Sequence, residues 1–290
     1  MLQRELVCVI VSYNIGEEIY KCYDSIKKQV DKVIIVDNGS DAETIKVLKN
    51  IDKDKNCEVI FLKENYGIAY ALNIGTKTAI KGGYKWIITM DNDSQASKDM
   101  VKVMMDVYNN LIKSEKDKVV SIAPRFISEG EKICKEEKNI YSYENLVITS
   151  GNIVNLDIFE EIGYFKEDYF IDYVDNEFCL RILESGKKII QVNNAILKHK
   201  LGNSLEKKIL CKTIKSTNHS PVRRYYLTRN SLDVQKRYKH LNIKHINNTK
   251  RVLLKFMLEI LLVEGEKYKK LKYMWKGYRD YKKGVFGEFR

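Results

Sequence analysis

Proline is nearly missing from this chain, with two in 290 residues, and no Gly-, Ser- or Pro-rich stretch divides it. That scarcity argues against two separate domains on a flexible tether. The six cysteines (Cys8, Cys22, Cys57, Cys134, Cys179 and Cys211) form no C-x-x-C pair, which excludes a zinc knuckle or a dithiol redox motif. Cys8 and Cys179 lie in apolar runs and read as small core residues. No uncharged apolar run reaches the roughly 18 residues of a membrane span. The nearest, residues 252–263, is interrupted by Lys255 and Glu259. No secretory leader pattern opens the sequence. With the cysteine spacing, this sets the expectation of a reducing cytoplasm. No G-x-G-x-x-G follows the first apolar run, so a dinucleotide dehydrogenase is not expected. No DNA- or RNA-binding motif is present either, so nucleic acid is not an expected partner.

What is abundant is positive charge, a net +12. Such a surface suits an anionic partner, a phosphorylated substrate or an anionic membrane face, or is plain lysine-rich solvated surface. The first 125 residues alternate short apolar runs with amphipathic stretches. Residues 6–11, 32–36, 59–62 and 86–90 read as strands, and about 17–29, 41–50 and 67–80 as helices, with Asp41 capping the second. Continuous apolar runs fit strands buried on both faces, and the β-α-β-α order predicts a parallel, doubly wound sheet. Ligands then bind beyond the carboxyl ends of the strands. Polar motifs fall there: Ser12-Tyr13-Asn14, Asp37-Asn38-Gly39-Ser40 and Asp91-Asn92-Asp93.

Asp91 and Asp93 stand two apart at a strand end, so alternation would aim both carboxylates at one cation. Magnesium and manganese are commonly held by one or two carboxylates plus substrate phosphates. A polar turn explains the same residues. Residues 170–181 put Asp172, Asp175 and Glu177 at the start of an amphipathic helix. A carboxylate there suits a general base. Helix capping and an ordinary Glu177–Arg181 pair at i,i+4 suit it too, and on the residues alone capping is the better reading. Asn65 and Gly67 open an Ala-rich helix whose small residues admit a phosphate or simply tight packing. Ser220–Asn230 gathers Arg223, Arg224, Tyr225 and Arg229, a phosphate clamp or a basic surface face.

Taken together and in this order, the motifs over about residues 5–230 resemble the inverting family-2 glycosyltransferases of the GT-A fold, with bacterial rhamnosyltransferases the most similar. Ser150-Gly151-Asn152 and His199 join the set. The family usually has Gln where this chain has Asn92. The resemblance implies an α/β, Rossmann-like, mostly parallel sheet in residues 1–230 and a helical basic-aromatic extension in 231–290. It implies that Ser12, Tyr13, Asn14 and Asp37 bind the nucleotide, with Asn65, Gly67, Gly151 and Asn152 also on the donor. It further implies that Asp91 and Asp93 hold Mn2+ or Mg2+ and the donor's ribose, with His199 as a later metal ligand, and that Asp175 is the base. Asp172 and Glu177 would shape the acceptor side, with Arg223, Arg224, Tyr225 and Arg229 on the acceptor or phosphate side. The donor would be a dTDP-, UDP- or GDP-sugar, and the acceptor a glycan or lipid-linked saccharide of the cell surface. Two other readings stay open: a sugar-1-phosphate nucleotidyltransferase, whose Gly-rich, Arg-containing loop is missing at residues 12–16, and a non-catalytic basic binding module.

The tail carries one more expectation. Residues 252–263 are apolar around most of a helix, and residues 267–276 interleave lysine with Tyr and Trp. This suits the anionic inner face of a membrane. Packing against the catalytic domain explains the apolar part equally well.

Overall fold

The computed structural model describes residues 5–128, 139–199, 205–209 and 212–289. The alternation read from the first apolar runs is realised as β1 (Leu6–Ser12), α1 (Ile19–Ile26), β2 (Lys32–Asp37), α2 (Ala42–Ile51), β3 (Cys57–Phe61), α3 (Ile68–Lys81) and β4 (Trp86–Asp91). All seven residues of β1 are buried, as a central parallel strand requires. Asp41 caps α2 as expected, its Oδ1 accepting from Thr44 N at 2.9 Å. The helix expected over 17–29 is shorter: a 3-10 turn at Gly16–Glu18 leads in, and α1 stops at Ile26. Helix α3 crosses β1 closely at Gly75, where an added Cβ would lie 2.4 Å from Val9 Cγ1.

The chain continues through β5 (Gln95–Ala96), α4 (Met100–Asn109), α5 (Lys113–Lys116), β6 (Val119–Ser128), β7 (Tyr141–Glu144), β8 (Asn152–Asn155), α6 (Ile158–Ile162), α7 (Val174–Glu184) and β9 (Lys188–His199). The sheet order is β3-β2-β1-β4-β8-β6-β9-β5, with β7 also on β9. From β3 to β4 every pairing is parallel. Beyond that the sheet is mixed: β8 runs antiparallel to β4 and β6, while β9 is parallel to β6 and antiparallel to β5 and β7. Most of this mixed part, β7 to β9, falls after residue 125, where the sequence shows no clear period, but β5 and most of β6 precede it.

The described residues form two units. The first holds residues 5–166 and 178–199 and contains the large sheet. The second holds Glu167–Glu177 and the residues from Leu205 on, with β10 (Leu205–Ile209), β11 (Lys212–Ser216), α8 (Pro221–Tyr238), α9 (Lys244–Asn247), α10 (Thr249–Leu262) and α11 (Lys267–Lys283). Strands β10 and β11 make an antiparallel hairpin. Helix α11 lies against α8 at Gly277, where a Cβ would come within 2.5 Å of the Tyr225 carbonyl oxygen. Residue 230, the expected end of the catalytic domain, falls inside α8. Among the described residues, no helix is long and apolar enough to cross a membrane.

Candidate active site

In the first unit, adjacent parallel strands bring three polar ends side by side. Ser12 pairs with Asp37 across β1–β2, and Val11 pairs with Asp91 across β1–β4. The loops after β1, β2 and β3 are laced together. Asn14 N donates to Ser40 Oγ at 3.0 Å, and Asp41 N to Asn14 Oδ1 at 2.8 Å. Asn38 Nδ2 donates to Asn65 Oδ1 at 3.0 Å, which also accepts from Gly67 N at 2.9 Å. Gly39, at φ 77°, lets these loops meet, because a Cβ there would sit 2.4 Å from the Glu64 carbonyl carbon. Inside this frame Ser12 and Asp37 are buried, and Ser12 Oγ and Asp37 Oδ1 have no hydrogen-bond partner. Buried polar atoms are rarely left so. Tyr13, at the β1 end, is 45% exposed.

Asp91 ends β4, but Asn92 and Asp93 lie in a turn, closed by Ser94 N donating to the Asp91 carbonyl at 3.1 Å. Strand alternation therefore stops at Asp91, and it is the turn that presents Asp93. The two carboxylates share one neighbour, Cys22. After burial itself, Asp91 and Asp93 are the charges that push the Cys22 thiol well above its usual range. The turn is braced from residues 149–152: Asp91 N donates to Ser150 Oγ at 3.0 Å, which donates to Ser94 Oγ at 2.8 Å. Gly151, at φ 77°, brings its N to 2.6 Å from the Thr89 carbonyl. Asn152 is turned into the sheet, its Oδ1 accepting from Ser121 Oγ at 2.8 Å. Two partly exposed carboxylates with a shared negative field are hard oxygen donors, a set that fits Mg2+ or Mn2+ completed by phosphate oxygens. Among the described residues no group of three or more His, Cys, Asp or Glu could hold a metal by itself. His199 ends β9, and its side chain lies outside the described residues.

The acidic segment before α7 belongs to the second unit. Asp172 does not cap the helix; at φ 64° its carboxylate sits in the fork of Arg223, 2.5 Å from Nη2 and 3.3 Å from Nε. Asp175 is in the first turn of α7, half-buried, with Oδ1 accepting from Asn176 N at 2.8 Å. Glu177 is buried and accepts from Tyr238 Oη at 2.9 Å. Within the first unit, Arg181 donates to the Ile162, Gly163 and Tyr164 carbonyls.

The expected phosphate or acceptor clamp at 223–229 needs correction for three of its four members. Arg224 and Arg229 are fully buried and Tyr225 is 2% exposed. Arg224 pairs with Glu264; Arg229 donates to the carbonyls of Asp168 and Gly287; Tyr225 donates to Asp280 at 3.0 Å. Arg224 is thus held by an internal counter-charge and Arg229 by neutral oxygens of its own unit, the kind of bonding that makes burying a guanidinium tolerable. Arg223, 43% exposed at its side chain, remains accessible. Sequence reading missed Asp233 and Tyr238 altogether, and it placed Asn38, Ser94 and Asn230 within motifs without the partners they hold. All act across 27 or more residues, a range at which spacing gives no signal.

The parallel strand ends, the acidic turn and the ordered motifs define a GT-A glycosyltransferase. The chain belongs to glycosyl transferase family 2, whose model matches residues 7–173. It is 32% identical over 247 residues to the dTDP-rhamnosyl transferase RfbF of Shigella flexneri, covering 79% of each chain. An uncharacterized glycosyltransferase, YfnE of Bacillus subtilis, is 32% identical over 106 residues, 35% of this chain and 26% of that one. Among solved structures, S. aureus TarS 1-349 superposes with TM-score 0.56 at 14% identity, over 97% of this chain and 81% of that one. GalNAc-T7 with UDP, GalNAc and Mn2+ does so with TM-score 0.60 at 14% identity, over 82% of this chain and 49% of that one. The family read from the motifs, the fold and the enzyme class are thus borne out.

Proposed function

We propose that the chain is a metal-dependent, inverting glycosyltransferase that moves a hexose of the rhamnose type from a nucleoside-diphosphate sugar to a glycan or lipid-linked acceptor in cell-surface polysaccharide synthesis. The observation that carries it is the pair of buried, partnerless oxygens, Ser12 Oγ and Asp37 Oδ1, beside the Asp91–Asp93 turn. A nucleotide's donor groups would satisfy them. A dTDP-rhamnosyl transferase relative supports the sugar. Ser12, Tyr13, Asn14 and Asp37 hold the base and ribose; Asn65, Gly67, Gly151 and Asn152 frame the rest of the donor. Asp91, Asp93 and, at the end of β9, His199 would hold Mn2+ or Mg2+, which supplies charge neutralisation for the departing diphosphate. Asp175 removes the proton from the acceptor hydroxyl as its oxygen attacks the anomeric carbon in one displacement, which inverts configuration. The transition state has oxocarbenium character. Asp172, Glu177 and Arg223 shape the acceptor side. The catalytic domain is residues 1–230 and the extension 231–290.

The extension supports a cytoplasmic site of action, peripheral on the inner membrane face. Helix α11 repeats Tyr268, Lys272, Trp275, Arg279 and Lys282 along one helical stripe, all exposed. Helix α10 exposes Leu254, Leu258, Leu261 and Leu262. Amphipathic rings and basic side chains together suit an anionic headgroup layer.

The test is release of nucleoside diphosphate from a panel of dTDP-, UDP- and GDP-sugars with Mn2+ and a glycan or lipid-linked acceptor supplying the hydroxyl, with and without EDTA. Release from one donor that EDTA abolishes is expected. Full release in EDTA would remove the metal role, and no release from any donor would remove the reading. Anionic vesicles should co-sediment the full chain in a salt-sensitive way and a chain cut near residue 265 much less. Equal binding by both would discard the membrane role.

A further inference from the structure

The backbone ahead of α7 is unusual. Phe170, Asp172 and Tyr173 have φ of 58°, 64° and 65°. Left-handed geometry costs an L-residue about 1–2 kcal/mol, so three such residues out of four must be held by their surroundings. The holder is one face of α8. Asn230, fully buried, donates its side-chain amide to the carbonyls of Tyr169, Ile171 and Asp172 at 3.0, 3.0 and 2.9 Å. Its Oδ1 accepts from Arg229 Nε at 3.0 Å, and the same guanidinium donates to the Asp168 carbonyl at 3.0 Å. One helical turn or two away, Arg223 grips the Asp172 carboxylate through two nitrogens. Tyr226 stacks on Phe170 with ring centroids 5.3 Å apart and planes at 9°. Asp233 accepts from Tyr169 Oη at 2.8 Å. Positions 223, 226, 230 and 233 are spaced to share one helical face, and each touches a different part of residues 169–172. A surface helix has no need of so many directed bonds to one turn.

We propose that this face of α8 is a positioning device for the reaction: Arg223 and Asn230 lock the left-handed turn at 170–173 and so fix the orientation of Asp172 and of Asp175 at the start of α7. The proposal rests on the reading of Asp175 as the base and adds residues that act on it without touching the reacting atoms. A carboxylate that wanders by an ångström loses rate by as much as about 100-fold, because the proton and the attacking oxygen must be aligned together. Losing the lock therefore lowers turnover while leaving nucleotide affinity alone.

The experiment compares the unaltered chain with Arg223→Ala, Arg223→Lys and Asn230→Asp. It reads kcat and donor KM by nucleoside diphosphate release from the donor in the dTDP-, UDP- and GDP-sugar panel that the unaltered chain turns over. It also reads the affinity of the matching nucleoside diphosphate with Mn2+, and the Tm. Arg223 is partly exposed, so Arg223→Ala keeps the fold; kcat should fall about 10- to 100-fold with nucleotide affinity and KM nearly unchanged. Arg223→Lys, which keeps the charge and loses the fork, should recover part of the rate. Asn230→Asp replaces amide donors with an acceptor facing three carbonyls and should lower both kcat and Tm. Normal kcat in Arg223→Ala, or a loss of nucleotide affinity that matches the loss of rate, would overturn the proposal, the latter by making Arg223 a donor ligand. Amide exchange separates these results from failure of the functional reading. Even with no donor turned over, Arg223→Ala should speed exchange across residues 169–175; unchanged exchange there would overturn the lock by itself.

Discussion

Helices α8 and α10 lie in the same unit and invert what their compositions lead one to expect. Helix α8 carries four arginines and a lysine, yet twelve of its eighteen residues are buried, Arg224, Arg229, Asn230 and Asp233 among them. Helix α10 is mostly Leu, Val, Met, Ile and Phe, yet only Thr249, Glu259 and Ile260 are buried. Pairing, more than hydropathy, decides which helix is taken inside here. Each charged group of α8 that is buried meets a partner: Arg224 meets Glu264, which Lys270 also approaches at 2.7 Å, and Asp233 accepts from Tyr169 and from Arg237 at 2.8 Å. Groups paired in this way fix one arrangement, although Arg224 Nε and Nη1 have no hydrogen-bond partner among the described residues.

The comparison breaks most visibly if the buried charges can be dispensed with. Glu264 pairs with both Arg224 and Lys270, and all three side chains are at most 4% exposed. Glu264→Gln strips two buried cations of their counter-charge and should cost about 3–5 kcal/mol in denaturant unfolding. A loss under about 1 kcal/mol would mean that pairing is not what holds α8 inside.

A smaller effect comes from His219, just before α8. Burial, then the charge of Arg223, depresses it from 6.5 to about 4. With the folded value below the unfolded one, the unfolded chain takes the proton first. This contribution is therefore full above pH 6.5 and is lost as pH falls through about 4. Tm should drop across that window, and His219→Gln should flatten the drop. Parallel curves for the two proteins would remove His219 from the account.

The smallest effect on stability should come from α10. Leu254→Ser and Leu258→Ser, at positions 56% and 58% exposed, should each change stability by about 0.5 kcal/mol or less while weakening attachment to anionic vesicles. A large loss of stability would show that the exposed stripe packs within the protein after all.

Much of the first unit was legible in the sequence because its signals are local. Continuous apolar runs marked β1, β2 and β4, Asp41 announced its cap, and polar triplets marked the strand ends. The mixed half of the sheet was not, since β6, β8 and β9 pair across long separations and leave no period. At the site, the ordered motifs identified the family. Spacing alone went astray where the backbone leaves regular structure. Asp93 is delivered by a turn and not by strand alternation, and Asp172 meets Arg223 instead of capping α7. Arg224 and Arg229 read as clamp residues because a sequence shows charge without showing its partner; Glu264, forty residues from Arg224, could not be foreseen.

The central claim is that Asp175 acts as the base in sugar transfer from a metal-bound nucleotide sugar. The direct measurement is turnover by Asp175→Asn, which keeps the side chain's shape and removes its basicity, set beside its nucleotide affinity with Mn2+ and beside Asp172→Asn. The account predicts that Asp175→Asn loses about 100-fold or more in kcat with nucleotide binding intact, and that Asp172→Asn loses less. Near-normal turnover by Asp175→Asn with an inactive Asp172→Asn would contradict it.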